Sequence, residues 1–123
     1  MRATALLVLG SSTDRKLVDA LFDLGFAPLV RDSMSSALSK LRSERFAALL
    51  VDRDSADVDA LEFILNVRDI DEHVPVVVVG RAGDGDDEEA LRAQPGTQVL
   101  DRSPERVMAA LERLLSARQC RDE

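Results

Sequence analysis

The chain has 123 residues, 46% of them hydrophobic and 32% charged, with 16 basic against 23 acidic side chains. That is material for one hydrophobic core in one soluble domain, and it excludes a two-domain enzyme. A net charge of −7 opposes attraction to nucleic-acid phosphates and to anionic lipid, so neither direct nucleic-acid binding nor a membrane role is expected.

The one cysteine, Cys120, sits among charged neighbours and has no partner for an intramolecular disulfide, which fits a reducing, cytoplasmic setting. The longest apolar runs, residues 46–51 and 74–79, have strand length and fall well short of the ~18 residues of a membrane helix. Residues 3–9 are apolar, but Gly10-Ser11-Ser12-Thr13 lacks the small-x-small pattern of a leader cleavage site.

In chain order, five apolar runs read as strands: TALLVLG (4–10), FAPLVR (26–31), FAALLVD (46–52), VPVVVVG (74–80) and TQVLD (97–101). The first, third and fourth are continuously apolar, as strands buried on both faces of a parallel sheet require, and the second and fifth read as its edges.

Helical spacing connects them. Leu17, Val18, Leu21, Phe22 and Leu24 form one apolar stripe, Ala37, Leu38 and Leu41 a second, and Val58, Leu61, Ile64, Leu65 and Val67 a third. After the fourth run, GRAGDGDDEE precedes only Ala90-Leu91 before Gln94-Pro95-Gly96, so the fourth helix is expected to be short. The last helix opens at Ser103-Pro104-Glu105, a capping residue followed by proline and a first-turn acid, and carries Val107, Met108, Leu111, Leu114 and Leu115. Residues 1–118 then form one domain, and residues 119–123 a polar tail.

The alternation predicts an α/β fold: a single-domain, doubly wound, five-stranded parallel sheet of (βα)5 type. Sites in such sheets lie at the carboxyl ends of the strands. Those ends carry Gly10-Ser11-Ser12, Asp52-Arg53-Asp54, Gly80-Arg81 and Asp101-Arg102-Ser103. An apolar strand closing on Asp52 puts a carboxylate at the sheet rim, where it can bind a metal, accept a phosphoryl group, or cap a turn.

This layout resembles the receiver domain of two-component response regulators, a flavodoxin-like architecture, over about residues 4–116. FAALLVDRDSADVDALEFI is similar to the segment in which a strand ends at the family's phosphoacceptor aspartate, and LGFAPLVRDSMSSALSKL to the family's second strand and helix. On that match Asp52 takes the phosphoacceptor position, Asp59-Ala60 stands for an Asp-Gly pair, and Glu62 follows. The resemblance implies phosphorelay signalling rather than an enzyme beyond self-phosphorylation and dephosphorylation. Its implied partners are a histidine kinase or an effector domain, with a homodimer through the helix 4–strand 5–helix 5 face carrying Ala90, Leu91, Arg102, Arg106, Glu112 and Arg113.

The departures from the family lie in its active site. Where receivers hold Mg²⁺ with an acidic pair after the first strand, this chain reads Gly10-Ser11-Ser12 and has no acid before Asp14, which leaves Asp52 and Asp54 as weak Mg²⁺ candidates. The family's Ser/Thr after the fourth strand is Gly80, its lysine after the fifth is replaced by Arg102, and Gln98 or Val99 stands at its aromatic switch. Loss of these groups takes several kcal/mol of stabilisation from phosphoryl transfer. The expectation is an atypical pseudo-receiver acting by protein–protein interaction, the alternative being a phosphorylatable receiver.

Other motifs carry less. The acids at 52, 54, 57 and 59 fail a calcium loop, because Asp57 and Phe63 stand where glycine and glutamate are needed. GSSTD lacks both glycine-rich phosphate-loop patterns and reads as a helix start capped by Ser12 or Thr13, with Asp14 also there. His73 reads as a lone surface residue, and residues 84–89 as a solvated acidic loop and first helical turn.

Overall fold

A computed structural model describes residues 4–10, 15–54, 58–80, 86–101 and 103–121. Strands and helices alternate as β1 (Thr4–Leu9), α1 (Arg15–Asp23), β2 (Phe26–Arg31), α2 (Met34–Ser43), β3 (Ala48–Asp52), α3 (Ala60–Ile70), β4 (Val76–Val79), α4 (Asp86–Arg92), β5 (Thr97–Leu100) and α5 (Pro104–Arg121). All four strand pairings are parallel, in the order β2-β1-β3-β4-β5. The three continuously apolar strands are thus the central ones, and β2 and β5 are the edges, as their sequences predict.

Two cores cover the two faces of the sheet. Leu7, Leu9, Leu49, Val51, Val76 and Val78 pack with Ala37 and Leu41 of α2, with Ala60, Phe63, Ile64 and Val67 of α3, and with Leu91 of α4. Leu6, Val8, Leu50, Val77 and Val79 pack with Leu17 and Leu21 of α1 and with Val107, Ala110 and Leu111 of α5. Side chains alternate between the faces with the period of two that a strand imposes. Each fully buried Val or Leu contributes roughly 1.5–3 kcal/mol.

The structure corrects two helix stripes. On α3 the buried set is Ala60, Phe63, Ile64 and Val67, spaced i, i+3, i+4, i+7, while Leu65 is 52% exposed. At about 100° per residue, Leu65 is some 200° from Phe63 and faces away from the sheet. Phe63, absent from the predicted stripe, is among the largest fully buried side chains. On α1, Leu17 and Leu21 are buried but Phe22 is 58% exposed, and Leu24 lies past the helix end, also exposed.

Local signals set the helix ends. Asp59 caps α3, its Oδ1 accepting from the Glu62 backbone N–H at 3.1 Å, and Ser33 caps α2 in the same way through Ser36. At α5 the Ser103 carbonyl accepts from the Val107 N–H, while the Ser103 hydroxyl donates to Glu105 Oε2 at 2.9 Å. The helix continues through Arg121, into the segment read as a polar tail.

Candidate functional site at the carboxyl ends of the strands

The chain order reverses between β1 and β3, so their carboxyl ends flank the crevice where doubly wound sheets place their sites. Leu9 pairs with Val51, and Asp52 pairs with Val79 of β4. Asp52 is 4% exposed, the one polar or charged residue among the buried described residues. Its Oδ1 accepts from the Asp54 backbone N–H at 3.0 Å, the short-range bond that an aspartate at a strand end makes to the following turn.

The next residues bind the turn to its neighbours. Arg53 N–H donates to the Val79 carbonyl at 3.0 Å, extending the β3–β4 ladder by one bond. The Arg53 guanidinium forms two bonds to Glu88 of α4, Nη1 to Oε2 at 2.6 Å and Nη2 to Oε1 at 3.2 Å. Both side chains are nearly buried, and Arg92 Nε donates to the same carboxylate at 3.1 Å. Glu88 therefore corrects the reading of residues 84–89 as a solvated run: its charge faces the sheet because Arg53 is there to meet it. A nearly buried carboxylate is costly unless ion-paired or hydrogen-bonded, and here Arg53 supplies both.

Gly80 closes β4, its N–H donating to the Leu100 carbonyl at 3.1 Å. Its φ is +128°, a region open to glycine and strained for other residues. A Cβ there would meet the Asp54 carboxyl carbon and both oxygens at 2.9 Å. Asp54 is exposed, but its carboxylate lies over Gly80, filling the space that a side chain at position 80 would take.

Asp52 and Asp54 are the carboxylates that the described residues of the β3 end bring to this rim, and no three acidic, histidine or cysteine groups gather among the described residues to hold a metal. A hard cation such as Mg²⁺ takes about six oxygens in near-octahedral geometry. With Gly10 contributing no side chain and Asp54 lying on Gly80, the described donor set does not fit Mg²⁺. Arg102, residues 11–14 and the Cys120 side chain lie outside the described residues. His73 is well exposed, 3.9 Å from Glu72.

No protein-family model matches the chain, and no curated protein matches it. Solved structures do. A response regulator receiver protein from Sinorhizobium medicae is 24% identical, with a TM-score of 0.77 over 94% of this chain and 97% of its own. A chemotaxis response regulator of Vibrio cholerae gives 19% identity and 0.77 over 91% and 98%. The beryllofluoride-activated receiver-domain dimer of NtrC4 gives 19% and 0.77 over 92% and 97%.

This is the fold of the response-regulator receiver domains. On the receiver fold the helix 4–strand 5–helix 5 face is altered from the sequence expectation, since Leu91 is 3% exposed and belongs to the core. Ala90 is half-buried, Glu112 and Arg113 are exposed, and Arg106 lies 3.3 Å from Asp101. Sequence reasoning gave Arg53 no role and read Glu88 as solvated; the two are 35 residues apart and meet only through the tertiary fold. The signal available was charge complementarity between an arginine at a strand end and an acidic run.

Proposed function

We propose that this chain is a receiver-like signalling module of two-component phosphorelay systems that works by protein–protein interaction, with weak or no phosphorylation. The observation that carries this reading is the Gly80–Asp54 contact. In the family the strand-four hydroxyl bonds a phosphoryl oxygen; here Gly80 supplies none, and a carboxylate lies over that residue. A phosphoryl group entering beside Asp52 meets a second negative charge where the family has a neutral donor, which raises the transfer barrier. The partners are an effector domain or a histidine kinase, with a homodimer through the α4–β5–α5 face, and the setting is the cytoplasm.

The buried Asp52 supports the alternative of a phosphorylatable receiver. Its carboxylate oxygen would form the new O–P bond as the phosphohistidine donor's N–P bond breaks, with Arg102 in place of the lysine. Incubation with acetyl phosphate and Mg²⁺ followed by intact mass analysis separates the two. The proposed module remains unmodified; a stoichiometric phosphoryl adduct that is lost in Asp52→Ala supports the alternative.

A further inference from the structure

We propose that the Arg53–Glu88 ion pair is a constitutive latch that holds α4 against the sheet whatever the state of Asp52. This deepens the reading above: it explains how a module without switching chemistry would keep its α4 surface formed.

Helix α4 is poorly equipped to hold itself in place. It has seven residues, about two turns, below the length at which an isolated helix persists in water. Among its described side chains, Leu91 is the one that belongs to the buried core. Against that stands one nearly buried, two-bond guanidinium–carboxylate pair, a geometry stronger and more directional than a single-point ion pair. Glu88 also accepts from Arg92, one turn on in the same helix, so the carboxylate joins α4 internally as well as to the sheet.

The other end of the latch is equally fixed. Arg53 is bonded through its backbone to Val79, and the following residue, Asp54, lies on Gly80 and donates its N–H to Asp52. The turn after β3, the end of β4 and helix α4 are thereby joined into one unit. Arg53 Nε is buried and has no acceptor among the described residues, so the pairing of this guanidinium with Glu88 is its main compensation for leaving water.

Backbone amide exchange on the full chain tests this by residue. In Glu88→Gln and in Arg53→Met, amides of α4 are expected to exchange at least tenfold faster than in the parent, with β1, β3 and α5 unchanged. The double variant is expected to fall well short of the sum of the two single ones, because each breaks the Arg53–Glu88 bond pair and Glu88→Gln weakens the Arg92 bond besides. Unchanged α4 exchange in both single variants, or effects that add in the double variant, overturns the latch. A variant that unfolds globally loses protection in β1 and β3 too; Glu88→Asp and Arg53→Lys, which keep charge but lose the two-bond geometry, then take its place, and undiminished α4 protection in both overturns the proposal. Beryllofluoride binding by the parent chain is scored separately. A response there contradicts the unswitched reading, while the exchange data still decide the latch.

Discussion

Asp54 and Gly80 share one space: the carboxylate of the first lies where the side chain of the second would begin, 2.9 Å from an ideal Cβ. The glycine and the carboxylate therefore shape this part of the rim together. The glycine's φ of +128° and the overlying carboxylate each oppose a serine or threonine at this position.

Gly80→Ser is accordingly expected to destabilise the domain by about 1–3 kcal/mol, the usual cost of holding a non-glycine residue in such a backbone region. Adding Asp54→Ala should recover the steric share and leave the backbone share. Urea unfolding of the parent, the single and the double variant checks the order.

Phe63→Ala should cost about 3–5 kcal/mol, since it opens a cavity where α3 meets the sheet. Leu65→Ala, two residues on and half exposed, should cost under ~1 kcal/mol. Chemical denaturation of both variants tests the corrected face of α3.

Much of this fold was readable from residue patterning. Continuous apolar runs marked β1, β3 and β4 as central, and Ser103-Pro104-Glu105 marked the start of α5, because those signals are local. The α3 stripe was misplaced because seven apolar residues among the ten of 58–67 admit more than one helical face, and the Asp59 cap fixes the phase only once it is seen. The rim was half legible. Asp52 announces itself by ending an apolar strand, whereas the Asp54–Gly80 and Arg53–Glu88 contacts depend on how β3, β4 and α4 are brought together.

At the opposite end of the sheet, Arg68 ties two loops by donating to the carbonyls of Val74 at 2.7 Å and Pro95 at 2.8 Å. Burial lowers its pKa and nearby Asp71 partly offsets this, yet a guanidinium stays charged at any working pH. Arg68→Met should cost about 2 kcal/mol, the range for bonds to a charged group, and Arg68→Lys should recover only part, because an ammonium cannot span both carbonyls. Thermal unfolding of the pair checks this.

The Glu105 carboxyl is held below its ordinary value, first by its own backbone N–H and then by the Ser103 hydroxyl. The unfolded chain therefore takes up the proton more readily than the folded one. The resulting stabilisation is full above the unfolded carboxylate value and is lost as pH falls through the lower folded value. Unfolding free energy measured against pH should fall further on acidification in the parent than in Glu105→Gln.

The central claim, that this receiver fold has lost its phosphoryl switch, is tested most directly by ¹H–¹⁵N NMR titration with Mg²⁺ and then beryllofluoride. The account predicts a spectrum that stays unchanged at millimolar Mg²⁺ and after beryllofluoride. Saturable shifts centred on Asp52 and spreading to Gly80, Arg102 and α4 would contradict it.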